Sequence, residues 1–290
     1  MEEEKKRKII IGTLTSSLIF LSFVFFKTFS ISSRSVIIFP STFFKYFLSE
    51  FAAKGSYFAM TNSLIKGAFF VIPFIPLVLG FSVLIFYGVK FEEDKRLGFA
   101  SSFIPSLLGT VFIGPSLTSI IFSLGVVLSG TFSTGIAVMY FKELKKWKEY
   151  RTGARTGGKL FLIINILLLF ALLINTIQNS NEYTDFYKKE MKDSIMSLFE
   201  ESETLGIGEL NITIPNTGIE KEIEKAQRKM IESKVDEMLN TERMSALISF
   251  CVFLMPFMIF AILETLRAII FSPLFGVISS ITLYEESSIK

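Results

Sequence analysis

The stretch KLFLIINILLLFALLINTI, residues 159–177, decides the fold class of this chain. It is almost wholly apolar, and its length matches the roughly 20 residues that an α-helix needs to cross the hydrocarbon core of a bilayer. Comparable runs recur along the sequence, which is 50% hydrophobic. The sequence therefore predicts an all-α, polytopic helical membrane protein with six or seven transmembrane helices. The six predicted spans are residues 9–26, 67–89, 98–117, 119–141, 159–177 and 244–263.

Two further segments are predicted to be helical without being clear spans. Residues 268–284 are apolar but short, and they fit either a short seventh span or a re-entrant or interfacial helix. Residues 41–65 begin with Ser41, which can cap a helix after Pro40, and place phenylalanine at positions 43, 47 and 51. We expect an amphipathic helix there, which lies in the outer membrane interface or packs on its own helical bundle.

A polar insert, residues 178–243, separates the fifth span from the sixth. We predict that it is an antiparallel helical hairpin, here called the arm, which continues the two spans for nearly 40 Å at about 1.5 Å per residue. We expect the arm to bind a protein partner or a second copy of the chain, and the alternative is that it folds back over the outer surface. Its predicted apolar stripes are Tyr187, Met191, Ile195 and Leu198 in the first helix and Ile219, Ile223, Met230 and Met238 in the second.

Basic residues indicate the orientation of the spans, because short cytoplasmic loops are rich in Lys and Arg. With the N-terminus inside, the basic clusters at residues 5–8, 90–96 and 142–159 all fall on the cytoplasmic side. We therefore expect a multi-pass protein of the cell membrane, surrounded by membrane lipid, with a cytoplasmic N-terminus and an extracytoplasmic arm. Asn211 begins an Asn-Ile-Thr sequon at the predicted tip of the arm and is a candidate glycosylation site.

Glu264 and Arg267 are the ionisable residues that lie closest to the interior of a predicted span. Their spacing of three places them on one helical face, and ionisable groups inside a membrane are functional candidates. The alternative is that they mark the cytoplasmic end of the sixth span. Asn165 lies well inside the fifth span, where an interhelical hydrogen bond is the ordinary use of an amide side chain.

Small residues recur at every fourth position of the fourth span, at Gly125, Ser129, Ser133 and Ala137. Helices in lipid associate through close backbone approach, so this stripe is the expected contact face with a neighbouring helix. The alternative is that its hydroxyl groups line a polar path.

Residues 153–159, GARTGGK, resemble a phosphate-binding loop only in part, because Leu160 stands where Ser or Thr would hold magnesium. We interpret them as a flexible basic linker. Trp147 and Tyr150 lie among the neighbouring cations, which fits either an interfacial anchor on an anionic leaflet or a plain positive-inside loop.

The composition removes several kinds of chemistry. The chain has no histidine and one cysteine, Cys251, so an internal disulfide and a Cys/His zinc site are excluded. The usual general base near neutral pH is also absent. We expect no catalytic residue, no metal, no cofactor and no nucleic-acid partner.

Three classes of function remain for this membrane protein. The first is a non-enzymatic scaffold or a subunit of a membrane complex, which binds its partner through the arm. The second is a permease or channel component, although no carboxylate lies deep in a predicted span, as ion coupling usually requires. The third is a membrane enzyme.

Overall fold

The computed structural model describes residues 2–40, 70–91, 93–204 and 219–284, and no strand occurs among them. The predicted helix at 41–65 and the tip of the arm with Asn211 lie outside these residues. A short helical segment at residues 33–40 follows the first long helix. The long elements, in chain order, are α1 (Glu2–Thr28), α2 (Phe74–Lys90), α3 (Lys95–Ile113), α4 (Leu117–Glu143), α5 (Lys148–Gln178), α6 (Ser180–Thr204), α7 (Ile219–Leu239), α8 (Glu242–Leu266), a π turn (Arg267–Phe271) and α9 (Ser272–Tyr284).

Several of the described helices have the length and apolar composition of transmembrane helices, as the sequence composition predicted. Five helical stretches are long and apolar enough to cross a membrane, namely α1, α3, α4, α5 and the run Glu242–Leu283. The helix α2 is also apolar, but its 17 residues make it shorter. The chain is therefore an all-helical protein with several apolar helices of membrane-spanning length.

The chain divides into two compact units, and the larger comprises Met1–Asn175 and Pro256–Lys290. Its core is rich in phenylalanine. The ring of Phe26 meets those of Phe74 and Phe122 edge to face, with ring centroids 5.2 Å apart in both pairs. Such pairs contribute about 0.5–1.5 kcal/mol beyond the burial of their area. The helices α3 and α4 cross where Gly98 meets Gly130, so that their backbones touch without intervening side chains.

Polar N-caps mark the starts of α3 and α4. At the start of α3, the carboxylate of Asp94 accepts a hydrogen bond from the backbone N–H of Leu97 at 2.9 Å and pairs with Lys8 at 3.1 Å. Beyond its end, Ser116 caps α4 in a reciprocal capping box with Ser119. The connection between α3 and α4 therefore consists of Gly114, Pro115 and Ser116.

The last helices of the chain follow one another without a break. Residues 244–263 and 268–284 were predicted to be separate segments. In the structure a π turn joins α8 directly to α9. The resulting run has 42 residues, more than the roughly 20 needed for one crossing. Pro273 lies in the first turn of α9, and a proline has no N–H to donate to the preceding turn. A local change of helical register is a common accommodation of such a missing bond.

The smaller unit, Thr176–Met255, contains α6 and α7. Asn179 alone separates α5 from α6, and Asn240 and Thr241 separate α7 from α8. Short connections of one and two residues therefore separate the helices of the arm from α5 and α8. At the second junction the hydroxyl of Thr241 accepts a hydrogen bond from the backbone N–H of Met244 at 3.4 Å, because a threonine side chain can replace a helical bond with a local one.

The buried face of the smaller unit differs in part from the predicted stripes. Tyr187 is buried as its stripe predicted, and Val235 and Leu239 are buried on α7. Met230 and Met238, which the sequence placed in the apolar stripe of the second helix, are instead 61% and 42% exposed. The side chains of Leu198, Ile219 and Ile223 lie outside the described residues.

Candidate functional site

The larger unit brings together the three polar residues that the sequence singled out. Asn165 donates a hydrogen bond through Nδ2 to Oε1 of Glu264 at 2.7 Å. Arg267 reaches the other carboxylate oxygen, with Nε 2.8 Å and Nη2 2.7 Å from Oε2. Both oxygens of Glu264 are thus occupied, one by an amide and one by a guanidinium group. We call these three residues the polar network.

The three residues of the polar network lie on α5, on the last turn of α8 and at the start of the π turn. Asn165 lies in the middle of α5 and is 2% exposed. Glu264 lies in the last turn of α8, and Arg267 opens the π turn one helical turn later. Arg267 also donates through Nη1 to the backbone carbonyl of Gly158, at 3.4 Å. The network therefore joins α5 to the C-terminal end of α8 by three side chains and one backbone group.

The N-terminal part of α5 makes a close helix crossing that was not predicted from the sequence. A Cβ atom at Gly157 would overlap the ring of Phe275, and one at Gly153 would overlap the Oγ of Ser279 and the backbone carbonyl of Phe275. Tyr150 fits against Gly276 in the same crossing. The Gly-x-x-x-Gly spacing at 153 and 157 is a known signal for close packing of helices in lipid, and it was present in the sequence.

This crossing overturns the interpretation of residues 153–159 as a flexible linker. All of them lie inside α5, which begins at Lys148. The side that carries Thr152, Gly153, Thr156 and Gly157 is buried. Glycine has a low helix propensity, but the contact with α9 stabilises the helix at these positions. Trp147, in contrast, precedes α5 and is 78% exposed.

The small-residue stripe of α4 faces α5 along part of its length. The hydroxyl of Ser129 donates to the backbone carbonyl of Leu160 at 2.9 Å, and a Cβ at Gly125 would lie 3.3 Å from the Cα of Ile164. Ser133 donates instead to the carbonyl of Gly130 in its own helix, at 2.7 Å. Ala137 is fully buried. Gly125 and Ser129 of the stripe thus lie against α5.

The smaller unit has its own polar cluster around Lys192 of α6. The Nζ of Lys192 lies 2.8 Å from Oδ2 of Asp236 and 2.9 Å from Oε1 of Glu232, both on α7. The hydrogen bonds to Asp236 and then to Glu232 raise the pKa of Lys192 above its ordinary value. Lys188 donates to Oδ1 of Asn240 at 3.2 Å, one turn before Lys192.

The described residues hold no group of three or more Cys, Asp or Glu side chains that is arranged to bind a metal ion. Cys251 is exposed on α8. The polar network contains a carboxylate, a guanidinium and an amide, so its chemistry is that of charge pairing and hydrogen bonding. No protein-family model, curated protein or solved structure matches the chain.

Proposed function

We propose that this protein is a non-enzymatic scaffold or subunit of a membrane complex, which binds a protein partner through the arm. One observation carries the proposal: α6 and α7 are polar helices, linked by ion pairs, whose second member exposes two methionines. A charged pair of helices is stable in water, and the exposed methionines supply an apolar contact for another protein.

The contacts of the smaller unit support an antiparallel hairpin. From Thr184 through Lys188 to Lys192, the partner positions fall from Ser249 through Asn240 to Asp236. The residue numbers of the contacted partners decrease as the numbers along α6 increase. This is the pattern expected when two chain segments run in opposite directions. The ion pairs of Lys192 then fix the register of α6 against α7, since each of its partners lies on the facing helix.

Met230 and Met238 are the residues of the arm that best fit a partner contact. They lie two helical turns apart on α7, and both are exposed although the helix around them is highly charged. Methionine is unbranched and polarizable, and it is common on surfaces that adapt to a bound protein. We assign them to the edge of α7 that faces the partner.

The polar network supports the scaffold over an ion-coupled permease. A coupling carboxylate has to bind and release an ion, which requires an accessible charged oxygen. Both oxygens of Glu264 are already engaged by Asn165 and Arg267. The network is better suited to holding α5 and α8 together in an apolar environment.

Gentle purification of the tagged full chain, followed by identification of what accompanies it, tests the proposal. We expect a stoichiometric membrane-protein partner with the natural chain, and its loss when Met230→Lys and Met238→Lys are combined. The matched control is Ser233→Lys, which adds a cation at another exposed position of α7 and should retain the partner.

Two results would contradict the proposal. The first is equal recovery of the partner with the methionine variant and with the natural chain, because the arm would then not be the contact. The second is solute movement by the purified protein alone in liposomes, which would make it a permease.

A further inference from the structure

A pocket of about 430 Å³ opens beside the polar network, between α4, the N-terminal part of α5 and the π turn. Its lining includes three cationic side chains, those of Arg155, Lys159 and Arg267, together with Tyr140 and Ser272. Its volume falls in the roughly 300–1,000 Å³ range of small-molecule sites in proteins. A pocket with this lining has the chemistry to bind an anion.

The positive charge of the pocket is only partly compensated. Arg267 is paired with Glu264, whose Oε2 lies 2.7 Å from its Nη2. Arg155 and Lys159, one turn apart on α5, instead face the ring of Tyr140, at 5.8 Å and 4.9 Å from its centroid. Within the described parts of the chain no carboxylate pairs with either of them. The aromatic ring holds two cations near each other and leaves their charge available to a ligand.

The length of α5 favours a position for the pocket at the level of the lipid headgroups. The 31 residues of α5 extend about 46 Å, which exceeds the roughly 30 Å of the hydrocarbon core. If α5 spans the bilayer, its basic N-terminal end therefore extends into the polar zone. Trp147, exposed just before that end, has the side chain that is enriched at membrane interfaces.

The surface of α5 next to the pocket changes from charged to apolar along one face. Leu162 lines the pocket after Lys159, and Ile166 and Phe170 follow at intervals of four. They are 39% and 54% exposed. A phosphate held by the cations would thus have an apolar strip directly beside it, which suits an acyl chain and offers nothing to free phosphate.

We propose that this pocket binds the phosphate of an anionic phospholipid headgroup. Arg155 and Lys159 supply the attractive charge, Arg267 closes the site on the side of the π turn, and the acyl chain lies along Ile166 and Phe170. Guanidinium groups match phosphate oxygens with paired hydrogen bonds, and basic pockets between transmembrane helices are known sites for anionic headgroups.

Native mass spectrometry of the full chain in detergent, titrated with phosphatidylglycerol or phosphatidylcholine, tests the proposal. We expect binding of phosphatidylglycerol to exceed that of phosphatidylcholine. Combining Arg155→Gln with Lys159→Gln should weaken binding of phosphatidylglycerol by roughly tenfold or more, because the double variant loses two positive charges that attract the anionic headgroup. The control combines Lys145→Gln with Lys146→Gln, which removes the same charge from the exposed segment before α5 and should leave binding within about twofold.

A third titration with inorganic phosphate distinguishes the source of the anion. If inorganic phosphate competes weakly or not at all with phosphatidylglycerol, the result supports a headgroup site. Competition at equal concentrations would contradict lipid binding and assign the pocket to free phosphate. Equal binding of the two lipids would also overturn the proposal, as would equal losses in the two double variants. Helical circular dichroism and a single peak in size-exclusion chromatography establish that each variant is folded, and the swap of Arg155→Lys with Lys159→Arg should retain binding.

Discussion

At the scale of single residues, Glu264 shows how a carboxylate is accommodated in an apolar helix. An isolated charge in a low-dielectric region is costly, and partners on both oxygens offset that cost. Asn165 and Arg267 supply them from different positions, one from α5 and one from the next helical turn. The spacing of Glu264 and Arg267 was readable from the sequence. Their contact with Asn165 was not, because it depends on how α5 packs against α8.

A double-mutant cycle measures the Glu264–Arg267 pair. Glu264→Gln and Arg267→Gln should each lower the free energy of unfolding, and the double variant should lose less than the sum. The side chains are 20% and 25% exposed, so we expect a coupling of about 1 kcal/mol rather than the larger value of a fully buried pair. Unfolding by a denaturing detergent in mixed micelles gives the energies. Thr265→Ala, a neighbouring exposed change, should have little effect, and additive losses in the cycle would contradict the coupling.

Asp94 acts as both a helix cap and a charge partner. Burial alone would raise its pKa, but the hydrogen bond from the Leu97 N–H and the pairing with Lys8 outweigh burial and hold the pKa of Asp94 below its ordinary value. When a carboxyl group has a lower pKa in the folded state than in the unfolded state, it stabilises the folded state. The stabilisation is complete at pH values above the pKa of that carboxyl in the unfolded chain. This stabilisation is lost as pH falls through the folded-state pKa.

Two substitutions separate the roles of Asp94. Asp94→Asn keeps a capping oxygen but loses the charge, whereas Asp94→Ala loses both and should cost about 1 kcal/mol more. The stability difference between the natural chain and Asp94→Asn should be constant above about pH 5 and should shrink as the carboxyl becomes protonated at lower pH. Thermal unfolding in detergent from pH 7 to pH 3 measures both effects. A difference that does not depend on pH would mean that the pairing with Lys8 has no effect on stability.

At the scale of elements, α5 shows what the sequence predicted well and what it did not. The apolar stretch 159–177 predicted a helix, and residues 159–177 lie within α5 (Lys148–Gln178). The N-terminal part was misread because glycine and arginine next to an apolar run are typical of a linker. Only the three-dimensional contact with Phe275 and Ser279 shows why small residues are needed at Gly153 and Gly157.

Gly157 is the sharpest test of this helix crossing. A Cβ at this position would overlap the ring of Phe275, so Gly157→Ala should cost about 2 kcal/mol through overpacking. Gly12→Ala is the matched control, because a Cβ there would meet only the end of the Leu97 side chain, at 3.3 Å. It should be neutral or stabilising by up to about 1 kcal/mol through helix propensity. Equal destabilisation by the two variants, measured by detergent unfolding, would contradict the close crossing.

The helix α7 shows a second limit of reading an element alone. Met230 and Met238 recur at helical spacing and were therefore assigned to the packed stripe. The face that packs instead carries Val235 and Leu239. Apolar residues were present on two sides of this helix, and periodicity alone did not determine which side meets α6. The ion pairs of Lys192 add a constraint that hydrophobic patterns do not contain.

At the scale of the whole molecule, composition and apolar runs predicted the all-helical membrane class, and the structure agrees with it. The predicted spans 98–117 and 119–141 overlap α3 and α4, whose ends carry the local signals Asp94, Gly114 and Ser116. The joining of α8 to α9 was not predicted, since a proline and a glycine in a short apolar segment usually indicate a break. Local sequence signals thus indicated where single helices begin and end. Whether two successive helices join into one depended on packing.

The orientation of the chain remains a prediction of the positive-inside rule, which places the basic segment before α5 in the cytoplasm and the arm outside. The single cysteine makes this testable: in a Cys251→Ala background, one new cysteine is introduced at Glu237→Cys on α7 or at Lys145→Cys before α5. Both positions are exposed. A membrane-impermeant maleimide should label Glu237→Cys in intact cells and Lys145→Cys only after permeabilisation. The background chain should not be labelled, and the reverse pattern would place the arm in the cytoplasm, where its partner would then have to be sought.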